Sequence, residues 1–181
     1  RSLAYGADKK IYAGAYNEIG VLENSAKTGI RYKSLNHLIP EDARNFDDVW
    51  NTYQTWFGIV FQSFESILIY KNNTIHVIKP KERFGNSFYV NNNYYVVETG
   101  IGLRVLVNDT LQTVNNDLLF SRDEIQSITP VNATDLLIGT MNNGLYVLSE
   151  NNLQPWDTEI SGELKKSKLY CGSYHNKSYL F

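Results

Sequence analysis

The stretch from Asp135 to Asn152, DLLIGTMNNGLYVLSENN, constrains this chain more than any other. Leu136 to Met141 is a short, nearly all-apolar run, Asn142-Asn143-Gly144 supplies turn residues, and Leu145 to Leu148 is a second apolar run. Asn and Gly tolerate positive φ, so two apolar runs around such a turn predict an antiparallel hairpin. Neither run alternates cleanly between apolar and polar residues, which predicts strands covered on both faces.

Related hairpins recur. Gly144-Leu145-Tyr146-Val147-Leu148 is echoed by Gly102-Leu103-Arg104-Val105-Leu106, then by Ser66-Ile67-Leu68-Ile69-Tyr70 and by Gly20-Val21-Leu22, at spacings of 42, 36 and 46 residues. Asn108-Asp109-Thr110-Leu111, Asn72-Asn73-Thr74-Ile75 and Glu150-Asn151-Asn152-Leu153 repeat the polar turn that follows. Periods near 40 with several short strands per repeat mark a β-propeller. The expected fold is therefore all-β: a β-propeller segment of four-stranded antiparallel blades, about four of them plus part of a fifth. The blades are placed near residues 1–35, 47–79, 86–115 and 124–157, and the fifth begins over 168–181 with strands at Leu169–Ser173 and Ser178–Phe181. Asp8-Lys9-Lys10, Asn91-Asn92-Asn93, Asn132-Ala133-Thr134 and His175-Asn176-Lys177 are the turns between first and second strands. A ring must close, so the segment is expected to belong to a larger propeller or to pair with another copy. The connection from Asn36 to Asp48 is long, and Pro40-Glu41-Asp42-Ala43 within it predicts a single helical turn.

Composition narrows the function classes. A net charge of −2 with no basic stripe argues against nucleic-acid binding by this segment, and no apolar run approaches a membrane span. The start at Arg1-Ser2-Leu3, without an initiator Met or a leader, reads as an excised or processed piece. Cys171 is alone and, taken as a buried thiol, leaves the redox compartment open. Trp50, Trp56 and Trp156 lie in strand-like runs and are expected in the core.

Ile11 to Gly20 (IYAGAYNEIG), Val60 to Ser63 (VFQS), Gly102-Leu103, and Leu137 to Thr140 followed by Gly144-Leu145-Tyr146 carry a further signal. They resemble the two-component regulator propeller repeat, which reads aromatic-small-Gly-Thr, a short turn, then Gly-Leu and an aromatic. The resemblance is to the propellers placed before a triple-tyrosine domain in bacterial sensor kinases or helix-turn-helix regulators. Ser66-Ile67 and Val97-Glu98 depart from the pattern. The resemblance implies a sensory or interaction module. It implies a periplasmic location if the relatives are sensor kinases and a cytoplasmic one if they are transcription regulators.

Candidate chemistry is sparse. His37, His76 and His175 are far apart and there is one cysteine, so neither a metal site nor any other cofactor is expected. Gly100-Ile101-Gly102 lacks the third glycine and following helix of a nucleotide loop, and no Gly-x-Ser-x-Gly elbow occurs. Four glycosylation-type triplets, beginning at Asn72, Asn108, Asn132 and Asn176, are accounted for by turn chemistry. Glu18, Glu65 and Glu98 fall near links between second and third strands. A pair of them about 5–10 Å apart would serve a polysaccharide-cleaving hydrolase or lyase. The favoured reading is non-catalytic.

Propeller geometry places second-to-third-strand links and blade-to-blade links on one face. That rim would present Tyr16, Asn17 and Glu18 from the first blade, Phe64 and Glu65 from the second, and Asn142 and Asn143 from the fourth. His37, Glu41, Asp42 and Arg44 of the long loop would overhang it. Rings, amides and carboxylates suit an oligosaccharide or peptide ligand, although Tyr16 and Phe64 would equally suit packing between blades. The expectation is a sensory, ligand-binding propeller module of a bacterial signalling or transcription-regulatory protein. Its rivals are the polysaccharide-active enzyme and a purely structural interaction scaffold.

Overall fold

A computed structural model describes residues 1–25, 29–114, 123–150 and 152–181; Asn151, in one of the predicted turns, lies outside them. The chain divides into two compact units, Arg1–Phe84 and Gly85–Phe181.

The first unit holds two antiparallel sheets of four strands in sequence order. One is β1 (Ser2–Tyr5), β2 (Ile11–Ala15), β3 (Glu18–Ser25) and β4 (Gly29–Ser34). The other is β5 (Asn51–Thr55), β6 (Gly58–Gln62), β7 (Ile67–Lys71) and β8 (Thr74–Ile78). Cross-strand partners share a face. Tyr12, Ile19 and Val21 of the first sheet therefore meet Ile59, Phe61 and Leu68 of the second in one core. Leu35, Ile39, Ala43 and Phe46 of the intervening loop complete that core. The loop is thus packed into the core through its apolar residues. Its polar residues stay outside because its apolar ones fill space between the sheets. It contains two 3-10 turns, Asn36–Leu38 and Glu41–Ala43, the second where Pro40 predicts a helical turn.

The second unit repeats the plan. Its sheets are β9 (Phe84–Val90, starting on the last residue of the first unit), β10 (Asn93–Glu98), β11 (Gly102–Val107) and β12 (Thr110–Thr113), then β13 (Ile125–Pro130), β14 (Leu136–Thr140), β15 (Gly144–Ser149) and β16 (Asn152–Pro155). A two-stranded sheet, β17 (Ser173–His175) and β18 (Ser178–Leu180), follows. These are the four-stranded antiparallel blades of a β-propeller and the beginning of another. Tyr95, Leu103, Ile125, Ile128 and Leu148 form one core of the unit, and Leu137, Leu145 and Leu169 a smaller one.

The turns follow from side-chain chemistry. Asn72-Asn73, Asn91-Asn92, Asn108-Asp109 and Asn176-Lys177 all take positive φ, the pairing that matches strand twist in two-residue hairpins. Asn132 instead accepts the N–H groups of Thr134 (2.9 Å) and Asp135 (2.8 Å) in an Asx turn. The repeat's small residues have a packing cause. A Cβ on Gly14 would lie 2.3 Å from Val49, and one on Gly139 would lie 2.3 Å from Leu169. In these two blades the chain leaving the blade crosses over that glycine. It is fixed there by the N–H of Val49 on the Ala15 carbonyl (3.1 Å) and of Leu169 on the Met141 carbonyl (3.1 Å).

Several local expectations are corrected. Gly102 and Gly144 open β11 and β15, and Ser66 immediately precedes β7, but Gly20 is the third residue of β3. The link before β3 is a two-residue turn in which Asn17 supplies the positive φ, so the strand starts early. Leu169 to Gly172 is linker and not strand, because Leu169 is docked on blade four. Trp50 and Trp56 are exposed, at 50% and 73%, instead of core; only Trp156 packs inward, 5.5 Å from Tyr179. Cys171 is exposed. The helix α1 (Ser161–Ser167) escaped prediction because its seven residues carry only one apolar side chain, Leu164, and so show no period.

Candidate functional site

In the first unit the β2–β3 turn, the long loop and the start of β5 are stitched together. Asn17 does most of this. Its side-chain oxygen accepts the N–H groups of Phe46 (2.8 Å) and Asp47 (2.6 Å), its amide nitrogen donates to Asn45 (3.1 Å), and its own N–H donates to the Asp47 carbonyl (3.0 Å). Glu18 is similarly occupied, accepting from the Tyr32 hydroxyl (2.5 Å) and from Asn36 (3.0 Å). Burial, then that carboxylate, raise the Tyr32 phenol above its ordinary value. Asp42 accepts from Lys79 (3.0 Å), which holds its carboxyl below the usual range, and the Arg44 Nε donates to the Ile39 carbonyl (3.0 Å). His37 and Glu41 are exposed on the loop.

Tyr16 bridges to Asp48 and is exposed. Two residues beyond Asp48, the N–H of Trp50 bonds to the Gln62 carbonyl (2.8 Å), which aligns it with the end of β6. There Ser63 builds the tight link to β7. Its hydroxyl oxygen accepts the N–H groups of Glu65 (3.1 Å) and Ser66 (2.9 Å), leaving Phe64 and Glu65 at the tip. Phe84 donates its N–H to the Phe64 carbonyl (2.9 Å), bringing Arg83 alongside. The result is a three-part cluster. The Trp50 and Phe64 ring centres are 5.3 Å apart at 36°, and the Arg83 guanidinium carbon lies 3.9 Å above the Phe64 ring. Half-exposed Trp50 and exposed Arg83 offer a flat apolar surface beside a cation. Sequence reasoning assigned Trp50 to the core and passed over Arg83. The signal it missed is that Trp50 precedes β5 and therefore lies in a blade-to-blade link.

In the second unit Asn142 and Asn143 are exposed residues of the β14–β15 turn with committed side chains. Asp123, 7% exposed, accepts the Asn142 N–H (3.1 Å) and side-chain amide (2.8 Å), and the Asn143 N–H (3.0 Å) and side-chain amide (2.7 Å). Burial acts to raise the Asp123 carboxyl, but these donated hydrogen bonds outweigh it and hold the group below its ordinary value. Glu98 ends β10 at 3% exposure and is bound by Arg104 at 2.5 Å, so it presents no carboxylate to a ligand. Of the three carboxylates considered for catalysis, Glu65 is the exposed one. Among the described residues no group of three or more His, Cys, Asp or Glu is placed to hold a metal ion, and no helix is long and apolar enough to cross a membrane.

No family model matches the chain, and no curated protein matches it. Solved structures do. The WD40 β-propeller domain of Doa1 is 12% identical with a TM-score of 0.60, over 86% of this chain and 53% of that one. The Pan2 WD40 domain of Neurospora crassa is 11% identical with a TM-score of 0.57, over 86% and 48%. The extracellular domain of BT3049 from B. thetaiotaomicron, a protein assigned as a hybrid two-component system, is 18% identical with a TM-score of 0.57, over 88% and 22%. The chain thus spans about half the length of the two WD40 chains and less than a quarter of the third. At these identities the likeness establishes the β-propeller fold.

Proposed function

We propose that this chain is a ligand-recognising, non-catalytic part of the propeller region of a bacterial signalling protein, of the two-component regulator type its repeats resemble. The observation that carries the reading is the Trp50–Phe64–Arg83 cluster, which exposes apolar area that the fold does not use. The structural similarity to the extracellular domain of BT3049 supports both the signalling role and a periplasmic location. In this reading a ligand seated against Trp50, Phe64 and Tyr16 biases the packing of neighbouring blades, and an output domain elsewhere responds. Asn17, Glu18, Asn142 and Asn143 hold loops in place and do not touch the ligand.

The occupation of Glu18 and the burial of Glu98 disfavour a paired-carboxylate glycoside mechanism. Calorimetric titration with oligosaccharide and peptide libraries tests the proposal. Binding weakened by Trp50→Leu is the expected result. Turnover of a polysaccharide that is lost in Glu65→Gln would replace this reading with the enzymatic one.

A further inference from the structure

We infer that Arg83 is a preformed receptor for a carboxylate, and that the ligand carries that carboxylate on a ring whose flat face lies on Trp50. This rests on the reading of the cluster as a ligand surface and goes beyond it by fixing the ligand's charge and shape. Other cations of the first unit are engaged internally: Arg1 with Asp48 (3.5 Å), Lys79 with Asp42 (3.0 Å) and Arg44 with the Ile39 carbonyl (3.0 Å). Among the described residues Arg83 makes no hydrogen bond or ion pair, and its guanidinium is seated over the Phe64 ring. A guanidinium carbon 3.9 Å over a ring makes an apolar and cation–π contact there and leaves N–H groups available for bidentate capture of an oxyanion. Half-exposed Trp50 belongs to the same cluster through its 5.3 Å contact with Phe64, and it supplies the exposed aromatic area for the ring of a ligand whose anion Arg83 holds. Glu65 and Glu82 adjoin Phe64 and Arg83 in sequence and are exposed. Their negative charge disfavours a doubly charged phosphate and leaves the singly charged carboxylate as the better match.

Matched acid and neutral compounds read this directly. The chain is titrated with phenylacetate against 2-phenylethanol, and with glucuronate against glucose, following the tryptophan fluorescence change that Trp50→Leu removes. The acid of at least one pair is expected to bind about tenfold tighter than its neutral partner, the scale of one charge-assisted hydrogen-bonded pair. The pair with the larger ratio identifies the ring as aromatic or saccharide. Arg83→Gln should erase the preference, while Arg83→Lys, which keeps the charge and loses the fork, should retain only part of it. Equal binding within both pairs, or an acid preference that survives Arg83→Gln, overturns the inference. Binding of library members without acid preference overturns it alone, whereas absence of all binding overturns the ligand-surface reading as well.

Discussion

The two units pin a second-to-third-strand turn to a blade-to-blade linker in opposite directions. In the first, the acceptor is on the turn: the neutral amide oxygen of Asn17 collects the N–H groups of Phe46 and Asp47 from the linker. In the second, the acceptor is on the linker: the carboxylate of Asp123 collects four donated hydrogen bonds from the turn residues Asn142 and Asn143. The first linker is leaving the blade whose turn it meets and the second is entering it, and either side of the contact can supply the oxygen. What differs is charge. An amide clasp is indifferent to pH, and a carboxylate clasp is stronger but titrates.

The largest effect is expected from Asp123→Ala, which leaves four donors of the turn without their shared acceptor. Water can reach the exposed side chains of Asn142 and Asn143, so the loss should be about 3 kcal/mol by denaturant midpoint and not the sum of four bonds. Hydrogen exchange should speed at Asn142 and Asn143 and stay unchanged at Phe46 and Asp47. Asn17→Ala should do the converse at about 2 kcal/mol, combining the lost clasp with the cost of alanine at a φ of +47°. Asn17→Gly keeps the backbone conformation accessible and should recover the smaller share. Exchange that quickens equally at both sites in either variant would break the comparison, since the two clasps would then not be separate devices.

The repeat was legible in the sequence because its strands are short apolar runs punctuated by Asn, Asp and Gly, and those residues set the turns seen in the structure. The Gly-Leu pairs mark the start of β11 and β15 for a physical reason: both glycines take positive φ. Where Asn17 supplies that conformation, the glycine is free to move inward. Gly20 instead makes room for the Tyr32 ring, which lies 2.3 Å from where a Cβ would sit. The candidate site was legible in position and not in role. Asn17, Asn142 and Asn143 do lie on links, but which polar side chain is consumed by a loop is decided by residues far away in sequence, such as Phe46 and Asp123. The exposure of Trp50 likewise follows from the packing of Val49 against Gly14, far away in sequence. One departure held more information than its repeat position showed. Glu98 stands where the fourth blade has Thr140, and Arg104 where it has Tyr146; both departures lie in one sheet, and the pair is an ion pair at 2.5 Å. Two coincident breaks in a repeat are better read as partners than as two candidate sites.

The smallest effect, and the one that separates the clasps most cleanly, is their response to acid. The Asp123 carboxyl lies below its unfolded value of 3.8 in the folded chain. Its contribution to stability is therefore complete above that value and is lost as the pH falls through the lower, folded one. Asn17 has no group that titrates there. Between about pH 5 and pH 2 the exchange protection of Asn142 and Asn143, corrected for intrinsic rates, should fall faster than that of Phe46 and Asp47. In Asp123→Asn the difference should vanish, because the remaining amide oxygen cannot gain a proton in that range. Stability curves of Asp123→Asn and the parent chain should accordingly converge at the acid end and separate as the pH rises past 4. If protection at the two turns instead declined in parallel, with Asp123→Asn behaving like the parent, the carboxylate would not be what distinguishes the second clasp from the first.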